Sequence, residues 1–305
     1  MLSSIASVES ISGLTAFVAT VEAGGFAAAA RRLGLSASAV GKAVSRMEAR
    51  LGVRLLTRTT RQVMMTFEGE QLYHRASRLL DDLRDIEGML AAQRAAPVGR
   101  VRVSLPATLG RMLVVPNLGE FIAEYPGIEL EIGLDDRKVD LVEGGYDLAV
   151  RTGVLEDSGL IARKLAQHRF LLCASPAYLA KCGMPASLEE LWQHKVIRFR
   201  YPTTGMLERW SFDGVEYDRE IPAGLVFNDG EAVARAAMAG LGIAQMPDYA
   251  VANEVAAGRL VPLLTNLRCV RGDLWLVRAS QRAEAPRVKA FATFIEGFIA
   301  RRAGS

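Results

Sequence analysis

Apolar positions at the amino-terminal end recur at helical spacing. Between Ser12 and Ala23 they fall at Leu14, Phe17, Val18 and Val21, and Gly24-Gly25 ends that helix. A second short helix is predicted over Phe26 to Leu33, with Phe26, Ala29, Ala30 and Leu33 on one face and Arg31 and Arg32 on the other. Gly34 stops it, Leu35 is expected to plug the corner, and Ser36 is a natural N-cap for the next helix. There Val40, Val44, Met47 and Leu51 form a narrow inward stripe. Ser38, Lys42, Ser45 and Ala49 then point the opposite way, with Arg46 and Arg50 beside them. Short side chains interleaved with cations suit a helix lying in a major groove, because they put little bulk against base edges and positive charge against flanking phosphates.

Two short helices around a tight glycine turn form a helix-turn-helix pattern. From Leu51 to Arg61 and again from Val63 to Thr66, apolar and β-branched residues alternate with Arg and Thr, predicting a two-stranded wing in which Arg54, Arg58 and Arg61 meet the nucleic-acid backbone. Thr66 caps a further helix whose first turn holds Glu68 and Glu70. Its residues Leu72, Ala76, Leu79, Leu83, Ile86 and Leu90 alternate steps of 4 and 3, a coiled-coil period, until Pro97 and Gly99 close the segment. Some thirty residues make a rod of roughly 45 Å. So narrow a seam calls for a partner, either the same helix of a second chain or this chain's own carboxyl-terminal body.

After Gly99 strands alternate with helices. Strands are expected at Val101 to Leu105, Ile128 to Leu134, Asp147 to Val150, Arg169 to Ala174, Val196 to Phe199, Leu225 to Phe227 and Gly272 to Arg278. Helices are expected at Leu109 to Tyr125, Val139 to Glu143, near Pro176 to Lys181 and Leu188 to Gln193, at Glu231 to Ala239 and at Pro286 to Arg302. Repeated βα units of this kind predict a parallel sheet covered by helices.

Composition narrows the class. A chain of 305 residues, 50% apolar and 23% charged, is globular, and its length favours two or three folding units. No apolar run is long enough for a membrane span and the start lacks a secretory pattern, so a soluble, cytoplasmic protein without a membrane partner is expected. Cys173, Cys182 and Cys269 have no CxxC pairing and read as free thiols. The net charge of +3 is unevenly spread: residues 1–65 hold eight basic and three acidic groups, leaving the remainder mildly acidic. A basic head on an acidic body fits a protein that touches phosphates with one end only.

The joint run of Ala29-Ala30, Leu33, Ser36, Ser38, Val40, Glu48, Leu51-Gly52, Leu55 and Arg58, continued by Thr66 to Gly69, resembles the DNA-binding head of LysR-type transcriptional regulators. The likeness extends over nearly the whole chain. It implies an N-terminal all-α winged helix-turn-helix over 1–65, a linker (dimerisation) helix over 66–97, and an α/β two-lobed effector domain like periplasmic binding proteins over 98–305. Lobe 1 would take about 98–166 and 267–305, and lobe 2 about 167–266. The implied partners are double-stranded DNA at an inverted-repeat promoter site, a small-molecule effector, a second copy through the linker helix, pairs of such dimers as tetramers, and RNA polymerase. One position departs from the family pattern: Gly41 stands where many members carry a hydroxyl residue.

On this reading Lys42, Ser45 and Arg46 enter the groove with Ser38, while Ser36, Arg54, Arg58 and Arg61 meet phosphates, and Arg31 and Arg50 belong to the same DNA-binding surface. Open α/β sheets bind ligands beyond the carboxyl ends of their strands, beside helix N-termini. Ser104 to Thr108, including Pro106 and Ala107, and Asn228-Asp229-Gly230 are two such places, with Thr108 and Asn228 read equally as helix caps or as effector contacts. The resemblance turns both toward an interlobe cleft with Asp135, Arg151, Thr152, Arg200, Thr203 and Met246. Arg151 and Arg200 either clamp a carboxylate or form salt bridges on the rim. A small organic anion, an aromatic or dicarboxylic acid, is the expected ligand class. No GxSxG, Walker loop, GxGxxG after a strand, or HExxH is present, and His74, His168 and His194 are scattered. No enzyme activity, metal or cofactor is therefore expected, the alternative being a DNA-binding head fused to a catalytic α/β body.

Overall fold

The computed structural model describes residues 8–58, 63–91, 96–137, 140–153, 160–213, 215–216, 223–278 and 285–303. The chain forms two compact units, Met1–Ala95 and Ala96–Ser305.

In the first unit, α1 (Val8–Glu22), α2 (Phe26–Leu33) and α3 (Ala37–Leu51) enclose a core of Phe17, Ala29, Val40, Val44 and Met47. Left-handed glycines end α2 and α3, with φ 65° at Gly34 and 70° at Gly52. Ser36 Oγ accepts from Ala39 N–H at 3.1 Å, as an N-cap does. Two expectations fail. Leu35 is 54% exposed, because its N–H, bonded to the Ala30 carbonyl at 3.0 Å, closes the corner with backbone alone. Leu51 is 47% exposed, because α3 ends at Gly52 and the returning chain puts Leu55 and Leu56 into the core instead.

Strands β1 (Leu56–Arg58) and β2 (Val63–Met65) pair antiparallel, with Leu56 opposite Met65. Helix α4 (Phe67–Ala91) follows, about 37 Å long. Thr66 Oγ1 accepts from Gly69 N–H at 2.9 Å and donates to the Arg54 carbonyl at 2.7 Å, tying cap and wing together. The expected seam is redistributed: Leu72, Ala76, Leu80 and Leu83 pack on the core of the head, and Leu79 is 46% exposed. The first half of the seam thus covers its own head; the side chains of Ile86 and Leu90 lie outside the described residues.

The second unit runs β3 (Gly99–Leu105), α5 (Ala107–Leu109), α6 (Leu118–Glu124), β4 (Ile128–Leu134), α7 (Leu141–Gly144), β5 (Leu148–Gly153) and β6 (Ile161–Ala174). It continues through α8 (Pro176–Cys182), β7 (Val196–Phe199), β8 (Ser211–Phe212), β9 (Val215–Glu216), β10 (Ala223–Phe227) and α9 (Gly230–Met238). Last come β11 (Ile243–Pro247), α10 (Asp248–Ala256), β12 (Val261–Leu263), β13 (Val270–Arg278) and α11 (Pro286–Ala303). One sheet follows the order β10-β7-β11-β6-β13-β5-β3-β4, with β12 beside β6.

That sheet is mixed rather than parallel. β3 lies parallel to β4 and β5, and β7 to β10 and β11, but β6 and β13 run antiparallel to each other and to their outer neighbours. β6 belongs to both lobes: its first half pairs with β13 and its second with β11 and β12. The helix expected over Leu109 to Tyr125 is broken into a π turn (Gly110–Val114), a 3-10 turn (Val115–Asn117) and α6. Pro116 supplies no amide, and Gly110 lies so close to β4 that a Cβ there would stand 2.2 Å from Leu134 Cδ2. The short helix begins at Leu141, and Val139, where it was expected to start, lies outside the described residues.

Lobe 1 packs Val101, Val103 and Leu105 against Leu148, Phe121, Phe291 and Ile295. Lobe 2 covers both sheet faces, Phe170, Tyr178 and Trp210 on one and Cys173, Ile197, Val233 and Met246 on the other.

Candidate nucleic-acid interface and interlobe site

The outward face of α3 forms a groove of about 830 Å³. Phe26, Ala37, Gly41 and Ala49 give it an apolar lining, and Ser38, Lys42, Ser45 and Arg46 its hydroxyl and cationic groups. Arg31, Ser36, Lys42, Arg46, Arg50 and Arg54 are all exposed in this unit. Arg58 stands at the end of β1 with its side chain outside the described residues, as is all of Arg61.

What holds α3 to the wing is Glu48, a buried acid that the sequence showed only as a charge and as one residue of the family-like run. Its Oε1 accepts from Leu55 N–H at 2.8 Å and Leu56 N–H at 3.1 Å, and its Oε2 lies 3.8 Å from the Arg54 guanidinium. Two backbone amides at the entry to the wing, beyond the end of α3, are thereby satisfied by a charged acceptor.

In the second unit the lobes meet around α5 and the start of α9. Asp229, not Asn228, caps α9, its Oδ1 accepting from Ala232 N–H at 2.9 Å, and Asn228 is exposed. Thr108 caps nothing: the α5 amide at Ala107 donates to Asp136 Oδ1 at 2.9 Å, with Pro106 in the cap position. Instead Thr108 lies against the other lobe, where a Cβ on Gly230 would stand 2.2 Å from its Oγ1. Arg111, which sequence reasoning missed, reaches across to Asp229 at 2.5 Å, and Thr203 donates to the Asp136 carbonyl at 3.4 Å.

Arg151 is half-buried beside buried Ser104, its Nη1 donating to Ser104 Oγ at 3.1 Å. Loss of water lowers its pKa while Tyr146 and Asp135 pull it up. Asp135 is held below the usual carboxylate range by Arg137, whose guanidinium lies 2.9 Å away. Burial raises the Asp136 carboxyl. Thr152 is exposed on β5. Arg200 is exposed and donates to the Gly205 carbonyl at 2.6 Å, bracing its own loop, and Met246 is 2% exposed within the lobe 2 core.

A second polar cluster sits where β6 and β13 cross, and its members are too far apart in sequence to be seen there. Arg271 Nη1 lies 2.7 Å from Glu208 Oε1, its Nη2 donates to Gln245, and its guanidinium sits 4.2 Å over the Phe170 ring. Tyr201 OH donates to Glu208 Oε1 at 3.1 Å. Next to this, His168 stacks on Tyr249 with ring centroids 5.9 Å apart. Burial, then the charge of Arg271, lowers the His168 pKa to about 3. Among the described residues no group of three or more His, Cys, Asp or Glu is placed to hold a metal ion, and no helix is long and apolar enough to cross a membrane.

Comparison with known proteins agrees with this division. Residues 11–70 match the family described as bacterial regulatory helix-turn-helix protein, lysR family, and residues 94–299 match the LysR substrate binding domain. The chain is 40% identical to the HTH-type transcriptional regulator CrgA of Neisseria meningitidis serogroup C, over 82% of this chain and 84% of that one. It is 35% identical to the HTH-type transcriptional regulator PtxR of Pseudomonas aeruginosa, over 94% and 92%. Among solved structures, that of CrgA from Neisseria meningitidis superposes with a TM-score of 0.62 at 35% identity, covering 94% of this chain and 98% of that one.

Proposed function

The chain belongs to the LysR-type transcriptional regulators, DNA-binding proteins that carry an effector-binding domain, and from that premise we propose the residues and ligand class through which it works. Ser38, Lys42, Ser45 and Arg46 read bases from the major groove, and Arg31, Ser36, Arg50, Arg54, Arg58 and Arg61 hold phosphates. The observation that carries this is the groove on α3, whose small and hydroxyl side chains alternate with exposed cations.

The effector is a small organic anion, an aromatic or dicarboxylic acid, taken up where the lobes meet. Thr108 and Asp229 make contacts across that seam, and the Arg151–Ser104 pair with Asp135 nearby supports the reading. The partly dehydrated Arg151 guanidinium gains most from an incoming carboxylate, which restores the stabilisation that burial removed. By binding the two arrangements of the lobes with different affinity, the effector biases regulation. The protein acts in the cytoplasm as a homodimer through α4, its dimers pairing as tetramers and meeting RNA polymerase at the promoter. Its body senses rather than catalyses, as the family's regulators favour.

The test is selection from a random duplex pool with the full-length protein, followed by titration of the selected site. Arg46→Ala is expected to relax sequence preference. Arg54→Ala should weaken all duplexes about equally and reduce the salt slope by about 1. Equal loss of preference in both variants overturns the assigned roles, and natively folded protein that ignores every duplex in dilute buffer overturns the DNA-binding reading. For the effector, a thermal-shift screen of small carboxylic acids suffices, since a ligand at 100 times its Kd adds about 2.7 kcal/mol.

A further inference from the structure

Gly41 lies inside α3, where glycine costs up to about 1 kcal/mol relative to alanine. Nothing in the fold demands it. A Cβ built there meets only Phe26 Cδ1, at 4.0 Å, an ordinary contact, whereas at Gly69 the same atom would stand 2.1 Å from the Leu55 carbonyl oxygen. Gly41 is also free of the left-handed backbone that explains Gly34 and Gly52. Packing and conformation explain those glycines and leave this one unexplained.

The missing side chain leaves a notch in the groove. At Gly41 it is bordered by the Phe26 ring, with Ala37 a helical turn away, and the same groove is lined by Ser38, Lys42, Ser45 and Arg46. An apolar recess flanked by cations matches one feature of the duplex: in the major groove thymine alone presents a methyl group, set between negatively charged backbones. We propose that the Phe26–Gly41 notch is a thymine-methyl receptor, making Gly41 and Phe26 specificity-determining residues of the recognition helix. The inference rests on the DNA-binding reading and adds to it a base that the cations do not choose.

The experiment uses full-length protein and a duplex selected from a random pool. Each thymine in turn is replaced by deoxyuridine, which removes the 5-methyl and nothing else, and Kd is read by fluorescence anisotropy. At one or more positions per half-site the wild type is expected to lose about fourfold, the worth of one buried methyl. Gly41→Val, which fills the notch, should bring the thymine-to-uracil ratio at those positions to about one while leaving the salt slope unchanged. If Gly41→Val does not melt as the wild type does, Gly41→Ala, whose methyl fits without a clash, decides by the same criterion. A wild type indifferent to every deoxyuridine, or a ratio unaltered in the filled variant, overturns the receptor and leaves the DNA-binding reading standing. Failure to select any duplex overturns that reading, and the receptor with it.

Discussion

Glu48 is one of only three acids in the first 65 residues, and the fold buries it where α3 meets the wing, 3.8 Å from the Arg54 guanidinium. Its negative charge strengthens two backbone hydrogen bonds, each worth more than a neutral pair. Glu48→Gln keeps the shape and one acceptor but drops the charge. It is expected to lower unfolding stability by about 1–3 kcal/mol, read by urea titration, with DNA affinity falling as the wing loosens. His168 gives a second residue-scale prediction. Unfolded, it takes up a proton near pH 6.5, whereas the folded chain refuses it until about 3, so stability present above pH 6.5 is lost as the pH falls. The slope is about 1.4 kcal/mol per pH unit. The groups facing His168 are Phe170 on its own strand, Tyr249 of α10 and Arg271 of β13, and the depressed carboxylates Asp135, Asp229 and Glu254 titrate only at lower pH. Melting measured between pH 6.5 and 5 should therefore fall more steeply in the wild type than in His168→Gln, which keeps the opposing contribution of the raised Asp136 carboxyl.

At the scale of elements, α4 presents two faces. One is spent on the head through Ala76 and Leu80, while Leu79 is exposed on the other, where the proposed dimer would need it. Leu79→Glu should leave the head folded and shift the protein toward monomer, measured by sedimentation equilibrium; an unchanged dimer removes α4 from that role. The helices around the head were readable because their apolar spacing is local and their ends carry Ser36, Gly34 and Gly52. The first half of β6 was not. Its charged residues look unlike a strand until their distant partners are in place, Arg163 with Glu296 at 2.6 Å and Lys164 with Asp273 at 2.7 Å. The same holds for the candidate sites: the basic face of α3 follows from one helix's periodicity, but Arg111 and the Arg271 cluster depend on long-range contacts that periodicity cannot register. Leu35 and Leu51 were misassigned because the spacing of apolar residues does not report where the backbone turns away from the core.

Across the whole effector-binding unit, one of the contacts between the lobes is that of a glycine with a threonine. Gly230→Ala drives a methyl into Thr108 Oγ1 and is expected to cost about 1–3 kcal/mol. Thr108→Ala in the same chain removes that oxygen and should recover part of the loss. Additive effects in thermal melts of the four proteins would mean that the contact does not couple the lobes. The sharing of β6 bears on how such regulators are re-engineered. Because lobe 2 is inserted into lobe 1 between strands that lace into one ladder, it is no cassette with a single junction. A chimera that borrows a relative's ligand preference needs two splice points, one within β6 and one ahead of β13, and both must preserve the pairing of residues 161–167 with 273–278. Cutting once would leave half a ribbon bare, an invitation to aggregate rather than to sense.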